Sequence, residues 1–324
     1  MPTLFLSPAR EKEHRLASGL TEDRVMNCLA DAVNAYLRGN GVKVITADDG
    51  SEAEIIAESN RRKTDLHLAL AAGTAPAGRK FRGIQAYYYP SSIVGRRAAQ
   101  NLCDSLKTAY EDPDLVYTLP ASHTPEVVKT SAPAVKMALG CREDPRDSQW
   151  LQTHVQEIGE AIARGVTNTF SLPFREVCTG PGRPLTAENA VPGAFVRVCT
   201  DGGLRLNLRA EPSMSGTVRG QIPAKQKVLL LEQPKNGWAK IRYQALEGYA
   251  GAAYLCSCTE NAGPVARVDA EGGVLNLRAQ PSLNAPILLR IPDQATVPVL
   301  KEEGAWAKVR YQDTEGFVLR QFIK

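Results

Sequence analysis

Between residues 3 and 170 the apolar positions switch repeatedly between two periods. Leu4-Phe5-Leu6 is a short apolar run stopped by Pro8, and Val42-Lys43-Val44-Ile45 reads as a second strand. From Glu22 to Arg38 the residues Val25, Met26, Leu29, Val33 and Leu37 keep the spacing of one helix face, and Gly39 and Gly41 close the run. Ser51 to Arg61 is predicted helical, with Ser51 as N-cap and Glu54 three residues on. Asp65 to Ala72 is almost wholly apolar, as a strand covered on both faces requires. Gly83 to Tyr89 is another strand. A helix from Ile93 to Ala109, a strand near Val116, the apolar run Ala134 to Leu139 and a helix from Ser148 to Val166 complete the series. This alternation predicts an open α/β sheet with flanking helices.

The pattern changes after residue 170. Residues 171–193 hold Pro173, Pro181, Pro184 and Pro192 with Gly180, Gly182 and Gly193, the composition of an extended, semi-rigid linker. Beyond it the chain repeats itself. Leu206-Asn207-Leu208-Arg209-Ala210-Glu211-Pro212-Ser213 returns as Leu275-Asn276-Leu277-Arg278-Ala279-Gln280-Pro281-Ser282, and Trp238-Ala239-Lys240-Ile241-Arg242-Tyr243-Gln244 returns as Trp306-Ala307-Lys308-Val309-Arg310-Tyr311-Gln312. Two strings matched in order mean two copies of one small domain. Short β-rich runs between Gly, Pro and Asn turns predict a small all-β barrel for each copy. The expected organisation is an α/β domain over 1–170, a linker over 171–193, and barrels over 194–260 and 261–324.

Composition narrows the function classes. A length of 324 residues exceeds one ordinary core, and the 43% hydrophobic and 23% charged content is that of a soluble globular chain. The net charge of +4 is compatible with an anionic polymer partner, but basic residues are scattered, with no cluster beyond Arg61-Arg62-Lys63, which argues against nucleic acid. No run approaches the roughly 18 apolar residues of a membrane span. Met1 to Pro8 carries no basic region and few apolar residues, so no signal peptide is expected. The seven cysteines, Cys28, Cys103, Cys141, Cys178, Cys199, Cys256 and Cys258, are too few for a disulfide scaffold. Cys256-x-Cys258 has the wrong spacing for a zinc knuckle. A Cys199–Cys256 bridge within the first repeat is left open beside free thiols.

The repeats carry a further pattern. Leu-Asn-Leu-Arg-x-x-Pro-Ser is followed by Trp238 or Trp306, then by Glu247-Gly248-Tyr249-Ala250 or Glu315-Gly316-Phe317-Val318. This resembles the bacterial Src-homology-3 domain over about 130 residues. Asn207 and Asn276 read as turn-forming or backbone-bonding residues, and Arg209 and Arg278 begin the loop into each Pro-Ser turn. The resemblance implies modules that bind cell-wall peptides or space another domain. Trp238 and Trp306 are candidate ligand-stacking residues, or else fill the barrels.

Three strings in the first domain are informative: Ser7-Pro8 with Glu13-His14 and Glu22; Ser59-Asn60 with Asp65-Leu66-His67-Leu68-Ala69-Leu70-Ala71-Ala72-Gly73; and Ala132-Pro133-Ala134-Val135-Lys136-Met137-Ala138-Leu139-Gly140 with Asp147 and Trp150. In this order they resemble the zinc N-acetylmuramoyl-L-alanine amidases, particularly the Firmicute sporulation-type branch. The resemblance implies hydrolysis of the muramoyl–L-alanine amide by zinc held on two histidines and a glutamate, with a second glutamate as base. His14 falls at the first metal histidine and Glu22 at the metal glutamate. Ala71 stands at the second histidine, and Ala138 at the general base. His67 lies four residues before Ala71, about 13 Å along a strand. Glu143 and Cys141 are the remaining candidates to substitute, and Lys136 would oppose a cation if it faces inward. His123 and His154 receive no role.

These readings predict a cell-wall protein whose amidase-like domain has lost catalysis and binds peptidoglycan or a protein partner. The alternatives are an active amidase with relocated ligand and base, and a sporulation scaffold that binds no sugar-peptide. Zinc, the cofactor of the resembling family, is doubtful here on the two alanines alone.

Overall fold

A computed structural model of the chain describes residues 1–75, 81–177, 183–186, 189–257, 265–270, 272–311 and 314–323. Cys178, Cys258, and the linker residues Gly180, Pro181 and Gly182 lie outside the described residues. The chain forms two compact units, Met1–Cys258 and Thr259–Lys324.

The N-terminal part of the first unit is a six-stranded mixed sheet. Its strands are β1 (Thr3–Pro8), β2 (Lys43–Thr46), β3 (Leu66–Gly73), β4 (Ile84–Tyr88), β5 (Val116–Pro120) and β6 (Ala134–Cys141), in the order β2-β1-β3-β6-β4-β5. Only the β4–β6 pair is antiparallel. One face carries Leu4, Leu6, Leu66, Leu68, Leu70, Val135, Met137 and Leu139 into the main core, against α1 (Glu22–Arg38), α3 (Ile93–Leu106) and α6 (Val155–Thr169). The opposite face, with Phe5, Ser7, His67, Ala69, Ala71, Lys136 and Ala138 by strand alternation, meets α2 (Glu52–Arg62) and α4 (Pro125–Val128). The near-continuous apolar run of β3 follows from this double covering.

The helix signals resolve locally. Ser51 and Glu54 form a capping box at the start of α2. The single helix expected over Ser148 to Val166 is instead two. Asp144 caps α5 (Pro145–Thr153) through the amides of Arg146 and Asp147, so the helix starts earlier than the apolar period suggests. His154, at φ −124° and ψ 30°, then breaks the path before α6.

Asp147 holds the end of the sheet in place. Its fully buried carboxylate accepts from Gly83 N (3.0 Å), Cys141 N (2.7 Å) and Tyr110 Oη (2.5 Å), with Arg82 Nε at 3.4 Å. Gly140 has φ +74°, and a Cβ there would sit 3.1 Å from Asp147 Cβ. Glycine is therefore what lets β6 turn its Cys141 amide onto this carboxylate.

The stretch read as a linker is built into both neighbouring cores. Leu172, Phe174 and Val177 pack on the α/β core, while Leu185 and Ala190 enter the core of the first barrel. That barrel comprises β7 (Arg183–Pro184), β8 (Phe195–Val198), β9 (Leu206–Arg209), β10 (Val218–Ile222), β11 (Lys227–Leu230), β12 (Trp238–Tyr243), β13 (Leu246–Gly251) and β14 (Leu255–Ser257), in the order β10-β9-β13-β12-β11-β8-β14-β7. Cys199 and Cys256 are joined as a disulfide, with Cα atoms 5.9 Å apart. Phe195, Leu229 and Ala245 leave the barrel core and join that of the α/β domain. Phe195 packs on Tyr36 of α1 with ring centroids 4.7 Å apart. Arg242 pairs with Asp31, and Lys227 with Glu160 of α6.

The second unit is a separate barrel of β15 (Val265–Arg267), β16 (Val274–Arg278), β17 (Ile287–Pro292), β18 (Thr296–Glu303), β19 (Trp306–Tyr311) and β20 (Thr314–Leu319), ordered β15-β18-β19-β20-β16-β17. Both barrels bulge where the first strand meets its partner, and the repeated arginines do the same work in each. Arg209 Nη1 donates to Gly216 O and Arg278 Nη1 to Ala285 O, both at 2.8 Å. Asn207 and Asn276 lie inside strands rather than in turns; the Asn207 amide oxygen accepts from Gln221 Nε2 at 3.1 Å. Trp238 and Trp306 open equivalent strands, half-buried. Neither belongs to a barrel core, which aliphatic residues such as Val196, Leu208, Ile222 and Ile241 fill in the first copy.

Candidate functional site

A cleft of about 330 Å³ opens where the C-terminal ends of β1 and β3 meet the start of α1. Its lining includes Ser7, Arg10, Glu11, His14, Glu22, Glu52, Ala71, Glu126, Lys136 and Arg142, so both charge signs face one space. Glu22 is the first residue of α1, where the helix dipole favours a carboxylate. The preceding loop doubles back, with Glu22 N donating to His14 O at 2.8 Å and Ala17 N donating to Arg142 O at 2.8 Å. That closure brings His14 over the start of the helix.

The Glu22 carboxylate is only 3% exposed. One oxygen accepts from Ala72 N at 2.8 Å; the other lies 3.4 Å from His14 Nδ1 and 3.5 Å from Arg142 Nη1. A carboxylate buried this deeply needs a cation or hydrogen-bond donors around it. Here the guanidinium of Arg142 supplies that charge. The sequence reading placed His14 and Glu22 together, as the structure does. It passed over Arg142, whose position just beyond β6 was the available signal.

Ala71 and Ala138 are register partners on adjacent parallel strands. The sequence reading set the second histidine and the general base at these two positions, and in the structure they are methyl groups side by side on adjacent strands. The neighbours do not substitute. His67 is fully buried on the same face as Ala71; its Nδ1 sits 2.9 Å from Ser59 Oγ and its ring stacks on Phe5. Glu143 turns away, accepting from Ala75 N (3.3 Å), Cys141 Sγ (3.1 Å) and Arg142 Nε (2.9 Å). Burial pushes the Glu143 carboxyl up, but these donors outweigh it and hold it below the usual range. Burial raises the Cys141 thiol, so it is no ready thiolate ligand. His123 is exposed in the loop before α4, and His154 marks the α5–α6 break. Among the described residues no three His, Cys, Asp or Glu side chains are grouped to hold a metal. Zinc does not fit this donor set: of the acidic and histidine side chains lining the cleft, His14 and Glu22 come together at 3.4 Å, and the Arg142 guanidinium lies 3.5 Å from the same carboxylate.

Gly73 closes β3 at a register shift against β6. A Cβ there would lie 2.5 Å from the Phe81 ring and 3.0 Å from Gly140 O, leaving no room for a larger residue.

A second charged group flanks the cleft, and sequence reasoning found only half of it. Lys136, whose direction the sequence left open, faces inward, with Nζ 3.0 Å from Glu126 Oε2 and 3.8 Å from Glu52 Oε1. Glu126, on the one-turn helix α4, also accepts from Ser7 Oγ at 2.9 Å and lies 3.5 Å from His67 Nε2. Burial raises the Glu126 carboxyl, but hydrogen bonding and charge from His67 and Lys136 win and hold it at about 2. Ser59, His67 and Glu126 follow the order of a nucleophile–base–acid triad. Ser59 and His67 are buried and absent from the cleft lining, so this set is structural.

A six-stranded α/β domain with this cleft, followed by two small barrels, defines a cell-wall-amidase type of architecture. Residues 10–168 match the family model described as N-acetylmuramoyl-L-alanine amidase, and residues 202–255 and 273–324 match the bacterial SH3 domain. The chain thus carries an amidase-family domain and two bacterial SH3 domains. Among curated relatives, it is 26% identical over 129 residues to YrvJ of Bacillus subtilis (strain 168), a protein named provisionally as an N-acetylmuramoyl-L-alanine amidase. That match covers 36% of this chain and spans about a quarter, 25%, of the relative. Solved structures similar to it include the amidase AmiC2 of Nostoc punctiforme, at 19% identity and TM-score 0.48, covering 52% of this chain and 97% of that one. The catalytic domain of CwlV from Bacillus (Paenibacillus) polymyxa var. colistinus aligns at 15% identity and TM-score 0.47, covering 53% and 100%.

Proposed function

We propose that this protein is a peptidoglycan-associated binder whose amidase-family domain holds its ligand without hydrolysing it. The observation that supports this is the Arg142–Glu22–His14 cluster, in which a guanidinium replaces a metal as the counter-charge of the buried carboxylate. Ala71 and Ala138 leave neither a third ligand nor a base beside it. Without an activated water or a carboxylate to take its proton, the amide-hydrolysis route of the family has no starting point. The cleft persists, and its paired charges suit a ligand bearing both amide and carboxylate groups. The two SH3 domains support a location at the cell wall or outside the cell. Among the described residues no helix is long and apolar enough to cross a membrane.

The test is co-sedimentation of the full chain with purified sacculi, followed by assay of newly exposed L-alanine amino termini with and without added zinc. Retention without new termini is the expected result. Zinc-stimulated release of termini overturns the non-hydrolytic reading, and failure to sediment at moderate salt overturns the binding reading.

A further inference from the structure

The two barrels can be compared turn by turn, because the same backbone bonds recur. Lys225 N donates to Val198 O and Gln294 N to Val268 O, each at 2.8 Å. Cys199 N donates to Tyr254 O and Asp269 N to Phe322 O, each at 2.9 Å. Lys225 and Gln294 are both left-handed, at φ 67° and 64°. Val198-Cys199-Thr200 and Val268-Asp269-Ala270 therefore face the equivalent turns Pro223-Ala224-Lys225 and Pro292-Asp293-Gln294, and each of these strings leads on to a Gly-Gly pair, Gly202-Gly203 and Gly272-Gly273.

In the second barrel the Asp293 carboxylate fills the space between loop and turn. It accepts from Ala270 N at 2.7 Å, Gly272 N at 2.9 Å and Gln294 Nε2 at 3.1 Å. These donors, the Ala270 amide foremost, hold its carboxyl at about 2. In the first barrel the same position is Ala224, so the internal carboxylate is gone. The loop is tied instead by the Cys199–Cys256 disulfide, which the second barrel lacks, having Asp269 where Cys199 stands. Where the carboxylate lay in one copy, the other has a cavity of about 400 Å³ lined by Arg197, Cys199, Thr200, Gly203, Ala224 and Lys225. Lys225 occupies the position from which Gln294 donates, replacing an amide by an ammonium. Backbone amides gathered by a turn make an anion-binding concavity, and an adjacent cation strengthens it.

We infer that the first SH3 domain binds a carboxylate group in this cavity, at the place where Asp293 folds back on its own loop in the second. The recognised chemistry is a single carboxylate, taken either from a small free acid or from the C-terminus of a short peptide. This site lies apart from the α/β cleft and stands whether or not the cleft binds peptidoglycan.

The experiment is a titration of the ¹⁵N-labelled full chain with acetate, with glycylglycine, and with glycylglycine amide, following the Thr200 and Gly202 amides. Saturable shifts of both with acetate or glycylglycine support the site. Saturation with glycylglycine alone assigns it to a peptide C-terminus, and saturation with both assigns it to carboxylates in general. The amide, which lacks the charge, should bind at least about tenfold more weakly. Ala224→Asp refills the seat and should abolish saturation, while Lys225→Gln, which copies the second barrel, should weaken it. The Gly272 amide, already bonded to Asp293, should not move. No saturable shift with either acid, or an unchanged response in Ala224→Asp, overturns the proposal. Should Ala224→Asp fail to fold, the Lys225→Gln series and the Gly272 comparison decide it.

Discussion

Arg142 and Glu22 meet across the cleft with Nη1 3.5 Å from Oε2, and the carboxylate is almost wholly shielded from water. Among the described residues the Arg142 guanidinium and the His14 ring are the basic groups paired with it. Removing the guanidinium leaves a buried charge with less compensation than before. Arg142→Ala is expected to lower stability by about 1–3 kcal/mol, and Glu22→Gln to abolish most of that penalty. A double-mutant cycle read by urea denaturation measures the coupling; additive single effects would show that the pair is incidental.

The same pair predicts how metal affinity can be restored. Arg142→Gln removes the competing cation, and Ala71→His adds a ligand on the strand neighbouring Ala138. Wild type should retain no stoichiometric zinc against a chelator at micromolar free metal. The double variant should approach one zinc per chain. Elemental analysis after chelator competition distinguishes the two. Adding Ala138→Glu then tests whether hydrolysis returns with the base.

Glu126 gives the expected pH dependence. Its carboxyl sits at about 2 in the folded protein against an ordinary 4.5, so the folded state binds the proton less readily than the unfolded chain. The stabilisation is therefore complete above about pH 4.5 and is lost as pH falls towards about 2. Ser7, His67 and Lys136 are the groups that face it. Urea midpoints of wild type and Glu126→Gln should differ most near neutral pH and converge as pH approaches about 2. A constant difference across that range would remove Glu126 as the source.

Phe195 tests the seat of the first barrel. It is 4% exposed, packed at a tilt against the Tyr36 ring, and part of the α/β core rather than its own. Phe195→Ala should cost about 3–5 kcal/mol. It should also let protease reach the 171–193 stretch before the barrels themselves are cut. Limited proteolysis followed by mass spectrometry reads this directly.

Much of the α/β domain was legible because its sheet is covered on both sides. The apolar run Leu66 to Ala72 and the face Val25-Met26-Leu29-Val33 have no other use than burial. The break at His154 was not legible, since the apolar period continues across it while the backbone of one residue departs from the helix. Ala71 and Ala138 were singled out through the family resemblance, yet their register pairing needed the sheet. Arg142 escaped for a related reason: its guanidinium reaches back from a turn set by Gly140, and nothing in a local pattern encodes that reach. Glu126 was hidden because its partners, Ser7 and His67, come from strands far away in sequence.

Helix α1 begins at Glu22 in the cleft and carries Asp31 and Tyr36, the residues that hold the first barrel. The fourteen helical rises from Glu22 to Tyr36 span about 21 Å of stiff rod. The cleft and the barrel's anchor are therefore held at a set spacing, like two marks on one ruler. Displacing the barrel's anchor at Tyr36 would tilt the same rod at Glu22, so the packing contact and the mouth of the cleft answer to one motion.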